Sequence, residues 1–205
     1  PFSLQGRQAL AGLCKWVEYA NASGGVWVGE RRQKCRLTPV YYDDGGQRGK
    51  SREMTERLLS RDKVDLLFGP YSSGLTLEAA LVAQEYGRVL WNHGGATYEA
   101  SSQARDRVVN ILSPARQYFQ GVLDMTRDRN PNYSRMAVIH LASGPFSKAV
   151  ADGVENYASC GPLNVVFKRE YQRDISDFSA LVADLKLAKA DVILGVGRLR
   201  DDILL

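Results

Sequence analysis

The stretch from Val64 to Thr97 constrains the fold more than any other part of the chain, because it combines two short strands, a helix and two polar turns. Val64–Phe68 is an apolar run of the kind that lies buried inside a parallel sheet. From Ala79 to Tyr86 the apolar residues recur at the spacing of one helical face. A strand, a helix and a second strand in this order predict two parallel strands joined by a crossover helix.

Short apolar strands alternate with amphipathic helices along the rest of the chain as well. The strands are predicted to begin near residues 36, 64, 135, 163 and 191, a spacing of about 28 residues within each half. This alternation predicts an α/β fold with a doubly wound parallel sheet in each half. Ser113-Pro114 is the candidate crossing between the halves, because proline disfavours a helical conformation at the residue before it.

Both ends of the predicted fold are incomplete. Residues 1–6 are expected to form a loop that leads into a helix ending at Ala22, with no strand before it. A charged connection or a short hairpin arm follows at 26–34, and residues 36–43 are predicted as a strand. The last predicted strand, 191–195, has no helix after it. We therefore expect a chain that is truncated at both ends.

The composition excludes several functional classes. Lysine and arginine number 27 against 23 acidic residues, and no basic run is interleaved with aromatic residues, so no nucleic-acid partner is predicted. No apolar stretch approaches the roughly 18 residues that a membrane-spanning helix needs. Asp44–Ser51 resembles a phosphate-binding loop but has Asp44 where the pattern requires glycine. We therefore predict a solvated loop at this place and no cofactor.

The three cysteines show neither the spacing of metal ligands nor a disulfide framework. Cys14 falls on the apolar face of the first helix, which predicts a buried free thiol. A disulfide between Cys14 and Cys35 is the alternative that the sequence leaves open. The third, Cys160, lies at the end of a predicted helix. No metal site is predicted from these residues.

Two polar turns follow the carboxyl ends of neighbouring predicted strands, the edge of an open α/β sheet at which ligands bind. The serine hydroxyls and backbone N–H groups of the first turn can hold an anionic group, such as a carboxylate, at the start of the next helix. The glycines of the second turn allow a close approach of the backbone. The alternatives are a plain helix cap and a plain turn. The residues predicted to contact a ligand here are Tyr71, Ser72, Ser73, His93, Gly94, Gly95, Ala96 and Thr97.

Three residues of the second half are further candidates. Phe146 is either a core side chain or a pocket wall. Gly197 and Arg198 follow the last strand, where the arginine is either a surface residue or the partner of an acidic ligand. Hydrolysis by Ser73, with His93 as its base, is the catalytic alternative, although the sequence has no Gly-x-Ser-x-Gly elbow.

Four segments carry a family resemblance: YANASGG, YYDDGG, KVDLLFGPYSS and RDISDFSALVADLKLAKADVILGVG. Together they resemble the type I periplasmic solute-binding proteins, also described as extracellular ligand-binding receptors. The nearest branch is the group of branched-chain amino-acid and amide receptors that feed ABC importers. The resemblance covers essentially all 205 residues, and the third and fourth segments are its more specific parts.

The resemblance implies two doubly wound lobes with the ligand in a cleft between them. On this basis residues 1–113 form the first lobe, lacking its first strand, and residues 114–205 form the first part of the second lobe. The ligand carboxylate would be held by Ser73, with Ser72 as the close alternative. The next turn would contribute through Gly94, Ala96 and Thr97.

The resemblance also implies aromatic residues over the ligand. In this chain those positions fall on Gln5, in the loop before the first helix, on Phe146, and on Gly197 or Arg198. Only Phe146 is aromatic, and His93 and Arg198 suggest a polar or acidic ligand.

The function implied by the resemblance is non-enzymatic. The expected protein captures a small solute, namely an amino acid, an amide or a related carboxylate, for an ABC importer. Its expected partners are that solute and the membrane permease, and we expect a monomer in the periplasm or outside the cell, with a lipid anchor as a compatible addition. The alternatives are a hydrolase on the same architecture and a ligand-sensing domain of a receptor or regulator.

Overall fold

The computed structural model describes residues 3–103 and 105–205, which form an alternation of helices and short strands. The helices are α1 (Ser3–Ala22), α2 (Arg48–Ser60), α3 (Ser73–Glu85), α4 (Glu99–Gln103), α5 (Gln120–Arg129), α6 (Pro145–Ser159), α7 (Ser179–Ala188) and α8 (Leu199–Leu204). The strands are β1 (Val26–Val28), β2 (Gln33–Cys35), β3 (Leu67–Phe68), β4 (Leu90–Asn92), β5 (Val108–Asn110), β6 (Arg135–Leu141), β7 (Asn164–Tyr171) and β8 (Val192–Val196). Short 3-10 helices lie at Arg105–Arg107 and Ala115–Gln117.

The chain folds as two compact units. Unit 1 comprises Pro1–Gly95 and Glu99–Leu112, and unit 2 comprises Ala96–Tyr98 and Ser113–Leu205. Each contains a parallel sheet, with the strand order β3-β4-β5 in unit 1 and β7-β6-β8 in unit 2. The predicted α/β class is therefore confirmed. In unit 2 the strand order reverses at β6, which is the doubly wound arrangement.

Helix α3 covers one face of the unit 1 sheet. Ala79 and Val82 of this helix are almost completely buried against Leu67 of β3 and Leu90 of β4. Helix α2 lies beside α3, where the buried Ser51 hydroxyl donates to the Leu75 carbonyl oxygen at 3.2 Å. The small side chains of Ala79, Val82 and Ser51 let the helices and the sheet approach closely. The amino end of α3 is thereby fixed at the carboxyl edge of β3 and β4.

The segment 36–43 pairs with no strand among the described residues, so its prediction as a strand is wrong. A strand exists only where a neighbour takes up its backbone N–H and C=O groups. Here the Asn21 side chain takes both groups of Leu37, donating from Nδ2 at 2.8 Å and accepting at Oδ1 at 2.7 Å. The Tyr42 hydroxyl donates to the Asp62 carboxylate at 2.9 Å. Side chains, and not a sheet, therefore hold this segment.

Residues 26–34 were predicted to form either a charged connection or a short hairpin arm, and the structure contains the hairpin. Strands β1 and β2 pair antiparallel, with Trp27 directly opposite Lys34. Gly25 closes the base of the hairpin with φ +96°. A Cβ at this position would lie 2.1 Å from the Cys35 carbonyl oxygen. Glycine is therefore required here both for its conformation and for its lack of a side chain.

Strand β6 is the centre of unit 2 and covers the residues predicted for it, Arg135–Leu141. It is buried on both faces, as its continuous apolar run indicates. One face packs against Leu123 of α5 and Val154 of α6. The other packs against Leu181 and Leu185 of α7. This sandwich of helices around a parallel sheet fixes the carboxyl ends of β6, β7 and β8 at one edge.

Several boundaries differ from the sequence prediction. Helix α1 begins at Ser3, so residues 3–6 are helical and Gln5 lies in the first turn of a helix instead of a loop. The predicted single helix at 115–128 is a 3-10 helix followed by α5. The last strand is followed by α8, contrary to the expectation that no helix comes after it.

Helix α1 buries less of its apolar face than predicted. Val17 is its one buried residue among those that the structure describes. Cys14 is half-buried, so the expectation of a fully buried thiol is wrong. Cys14, Cys35 and Cys160 are all free thiols, and the disulfide alternative is therefore not found.

The Asp191 carboxylate anchors the start of β6. It accepts hydrogen bonds from the N–H groups of Ser134 and Arg135, each at 2.9 Å. These bonds, that of Ser134 first, lower the pKa of Asp191 below its ordinary value of 3.8. The lowered pKa means that the folded state favours the charged form of this carboxylate.

Replacing Asp191 by alanine is expected to lower the urea midpoint of unfolding at pH 7. Because the folded pKa is depressed, the carboxylate stabilises the folded state above its ordinary pKa, and this contribution is lost as the pH falls through the folded value. The difference in urea midpoint between the wild-type chain and Asp191→Ala should therefore narrow below about pH 4. Urea melts from neutral to acid pH, followed by far-ultraviolet circular dichroism, measure this difference in the midpoint. The exposed Asp174→Ala serves as control, and an Asp191→Ala deficit that stays constant with pH would contradict the account.

Candidate functional site

The turns that follow β3 and β4 lie against each other in unit 1. The Ser72 N–H donates to the Gly94 carbonyl oxygen at 3.1 Å. Nε2 of His93 lies 2.8 Å from the Gly69 carbonyl oxygen. Both contacts lie at the carboxyl edge of the sheet, beside the amino end of α3, where Ser73 is the first helical residue. The structure thus brings together four of the residues that the sequence predicted as ligand contacts.

Asn92, which is fully buried at the end of β4, shapes the second turn. Its Oδ1 accepts hydrogen bonds from the N–H groups of Gly94 at 3.2 Å and Gly95 at 2.8 Å. Its Nδ2 donates to the Gly95 carbonyl oxygen at 2.6 Å and to Oδ1 of Asn110 at 2.7 Å. Asn92 is not among the functional residues predicted from the sequence. An asparagine before two glycines is nevertheless a recognisable turn signal.

Gly94 and Gly95 are required because the two turns approach so closely. A Cβ at position 94 would lie 2.7 Å from the Tyr71 Cα and 2.8 Å from the Pro70 carbonyl oxygen. A Cβ at position 95 would lie 2.6 Å from Oγ1 of the fully buried Thr76. These separations are shorter than carbon atoms tolerate without displacement. The close backbone approach predicted from the glycines is therefore an approach of Gly94 to the neighbouring turn and of Gly95 to helix α3.

Ser72 has a backbone conformation that is rare for a residue with a side chain, with φ +135° and ψ +137°. Hydrogen bonds hold it from both sides, because its N–H donates to Gly94 and its carbonyl oxygen accepts from the Thr76 N–H at 2.9 Å. Its side chain makes no capping hydrogen bond to α3. The plain helix cap is therefore not the role of the Ser72 hydroxyl, and such strain is characteristic of functional sites.

The amino end of α3 is electropositive. The N–H groups of the first turn of a helix have no partners within the helix and carry the positive end of its dipole. The exposed Arg48, the first residue of α2, lies over this end. A Cβ at Gly74 would lie 3.1 Å from its Nε and Nη2 atoms. The helix end and the guanidinium together favour an anionic group. Arg48 is not among the residues predicted from the sequence.

One ring nitrogen of His93 is occupied by a backbone contact. A carbonyl oxygen can only accept a hydrogen bond, so Nε2 of His93 carries the proton in its contact with Gly69. That nitrogen is consequently not an acceptor for the Ser73 hydroxyl proton, which a hydrolytic mechanism through Nε2 would need. A base at His93 would therefore have to act through Nδ1.

Ala96 and Thr97 belong to unit 2, where both are buried. The Ala115 N–H donates to the Ala96 carbonyl oxygen at 2.7 Å. Phe146, the second residue of α6, is half-buried. Its ring meets that of Tyr118 edge to face, with 5.4 Å between the centroids and 71° between the planes. Phe146 is therefore paired with a second aromatic side chain and is not a fully buried core residue.

Gly197 and Arg198 connect β8 to α8. The Arg198 N–H and the Tyr171 hydroxyl both donate to Oδ2 of Asp201, at 3.2 Å and 3.1 Å. Burial, and then the positive charge of Arg173, lower the pKa of Arg198. Asp201 is itself buried and is not among the residues predicted from the sequence. An acid three residues after a helix cap is the signal that could have identified it.

Gln5 is exposed in the first turn of α1. Its predicted position, in a loop before the helix, is therefore wrong. The physical reason is that residues 3–6 already belong to helix α1. The Gln5 side chain therefore lies on a helix face and not in a loop.

Two shallow grooves open on unit 2, with volumes of about 450 and 370 Å³. Ile203 and Leu204 line the first, and Ile193 and Leu205 line the second. None of the predicted ligand contacts lines either groove.

Within the described residues no group of three or more His, Cys, Asp or Glu side chains could hold a metal ion. Among those same residues, no helix has the length and hydropathy needed to cross a bilayer.

Comparison with known sequences gives a consistent result. A family model described as periplasmic binding protein matches residues 1–203. The Leu/Ile/Val-binding protein homolog 7 of Brucella melitensis is 30% identical over 211 residues, covering 100% of this chain and 51% of that protein. Homolog 8 of Brucella abortus is 26% identical over 209 residues, covering 98% and 50%. The chain spans about half the length of the curated relatives it matches.

Comparison with solved structures shows the same fold. The leucine-, isoleucine-, valine-, threonine- and alanine-binding protein of Brucella ovis, in its closed conformation, has a TM-score of 0.88 at 18% identity, with 100% of this chain and 53% of that chain covered. A substrate-binding protein of an ABC transporter from Desulfitobacterium hafniense, in complex with Leu, has a TM-score of 0.74 at 17% identity, with 90% and 52% covered.

Proposed function

The chain belongs to the periplasmic binding protein family, and from this premise we propose that it is the solute-capturing part of an importer and not an enzyme. One observation carries the proposal: the hydrogen bond from Ser72 to Gly94, which joins two polar turns beside the amino end of α3. Backbone N–H groups at a helix start, a neighbouring hydroxyl and the Arg48 guanidinium are the groups that recognise a carboxylate.

The proposed solute is a small carboxylate, either an amino acid or a related acid. Two lines of evidence support this class. First, the relatives include proteins named for binding leucine, isoleucine and valine. Second, a solute-binding protein of similar fold from Rhodopseudomonas palustris is described in complex with 4-hydroxybenzoate. Its TM-score is 0.66 at 17% identity, with 76% of this chain and 42% of that chain covered. Both kinds of molecule carry a carboxylate. Ser73 and the turn at Gly94 and Gly95 are the proposed contacts for it.

The proposed setting is outside the cytoplasm, in the periplasm or at the cell exterior, with the membrane permease of an ABC importer as partner. Family membership supports this location. We also propose that unit 1 corresponds to the first lobe of the family fold and unit 2 to the first part of the second. The assignment of Phe146, Gly197 and Arg198 as further solute contacts stays a prediction, which a Phe146→Ala variant tests.

Isothermal titration against leucine, 4-hydroxybenzoate and the carboxamides that replace their carboxylates tests the proposal. We expect heat with at least one carboxylate and weaker binding of its amide. Ser73→Ala should weaken carboxylate binding about tenfold or more, because a hydrogen bond to a charged group is lost. Ser179→Ala, at the first position of α7, is the matched control and should leave the affinity unchanged. Absence of binding to every solute, together with turnover of a nitrophenyl ester, would overturn the proposal in favour of hydrolysis.

A further inference from the structure

The hairpin of β1 and β2 carries a basic surface that solute binding does not use. The basic residues of this region are Arg31, Arg32, Lys34 and Arg36, against a single acid, Glu30. All of them are exposed. In the part of the chain that the structure describes, none of the four forms an ion pair. The hairpin therefore presents positive charge that no acidic side chain among these residues neutralises.

An indole accompanies this charge. Trp27 is 66% exposed in the middle of β1. It stands directly opposite Lys34, and directly opposite residues of an antiparallel pair share one face. Its neighbours Val26 and Val28 are half-buried on the other face. One face of the hairpin therefore combines a large amphipathic ring with a lysine ammonium.

The base of the hairpin is held firmly. Asn21, near the end of α1, binds both backbone groups of Leu37, which follows β2. Lys34 Nζ donates to the Ser23 carbonyl oxygen at 2.8 Å. The backbone of Gly25 lies in close contact with the Cys35 carbonyl group. A surface that is fixed in advance loses little conformational entropy when it binds a partner.

We propose that this hairpin docks on an anionic lipid surface. Arginine and lysine are attracted to anionic headgroups, and an indole settles at the level of the headgroups. A stable protein interface would need about 800 Å² per partner, with an apolar centre poor in lysine. The hairpin offers one large apolar side chain among charges, which suits a lipid surface better. This inference does not rest on the proposed solute.

Vesicle flotation tests the proposal with the purified chain. We expect binding to vesicles of phosphatidylglycerol and phosphatidylcholine, little binding to phosphatidylcholine alone, and release in about 0.5 M salt because screening shortens the range of the charges. The double variant Arg31→Gln, Arg36→Gln should bind about 25-fold more weakly, since each basic residue near an anionic surface contributes about fivefold. The matched double variant Arg61→Gln, Arg88→Gln removes the same charge elsewhere and should bind nearly as the wild type does.

A second variant tests the indole. Trp27→Ala should weaken vesicle binding and reduce the blue shift of tryptophan fluorescence that vesicles produce. Thermal melts of every variant check that the exposed substitutions leave the fold intact. Three results would each overturn the proposal: equal binding to neutral and anionic vesicles, equal losses in the hairpin and control variants, or binding of polyglutamate without binding to vesicles, which would indicate an acidic protein partner.

Discussion

Replacing Gly153 by alanine is expected to lower the free energy of unfolding of unit 2 by about 2 kcal/mol. Gly153 lies in α6, where a Cβ would stand 2.1 Å from the carbonyl oxygen of Arg116 and 2.6 Å from its Cα. These are backbone atoms, so the helix and the 3-10 helix Ala115–Gln117 must move apart. The cost of such overpacking, about 3 kcal/mol, is only partly offset by the gain in helix propensity, about 1 kcal/mol.

The same substitution at Gly121 provides the control. Gly121 lies in α5, and a Cβ there would meet no atom within 4 Å. Gly121→Ala should therefore raise the free energy of unfolding by about 0.5–1 kcal/mol through helix propensity alone. Urea melts of the two variants beside the wild type measure the contrast. Effects of the same sign and size in both variants would mean that the close packing of α6 on Arg116 is not the cause.

Replacing Gly94 by alanine is expected to separate the two turns of the candidate site. The new Cβ would meet the backbone of Tyr71 and Pro70, which cannot rotate away as a side chain could. We expect a loss of about 1–3 kcal/mol in the free energy of unfolding. Loss of the contact between Ser72 and Gly94 should also weaken solute binding at least tenfold, because a displacement of about 1 Å disrupts a preorganised site.

The control for this prediction is Gly49→Ala in α2 of the same unit. A Cβ there would meet nothing within 4 Å, so the solute affinity should be kept and the free energy of unfolding should rise by about 0.5–1 kcal/mol through helix propensity. Gly95→Ala should be comparably costly, since its Cβ would lie 2.6 Å from the Cβ of the buried Thr76, which side-chain rotation cannot move. The outcome against the account is a Gly94→Ala chain that binds solute as tightly as the wild type.

The elements best predicted from the sequence are those whose own pattern of apolar residues indicates which faces are buried. The bounds predicted for strand β6 match the structure, because a short apolar run that contains Val138 and Ile139 favours a strand buried on both faces over a helix. The parallel pairing of β3 with β4 followed from the helix between them. That pairing also explains why the turns at Ser72 and Gly94 meet, since both follow strand ends at one edge of the sheet.

The elements that were missed depend on partners distant in sequence. The apolar residues Leu37, Val40 and Tyr42 favoured a strand at 36–43, but pairing decides whether a strand forms. Here the Asn21 side chain occupies the Leu37 backbone. Asn92 and Asp201 organise the edges of the two sheets through hydrogen bonds that become visible only in three dimensions. Arg48 reaches the amino end of α3 from another helix. No local pattern contains that contact.

The central claim, that the turns at Ser72–Ser73 and Gly94–Gly95 hold a solute carboxylate, is tested most directly by nuclear magnetic resonance of the ¹⁵N-labelled chain. Titration with the carboxylate that gives heat in calorimetry should shift the backbone amide signals of these four residues and leave those of β1 and β2 unchanged. Saturation of these shifts at the calorimetric affinity is the predicted result. Solute-induced shifts confined to other parts of the chain, with the four amides unmoved, would contradict the account.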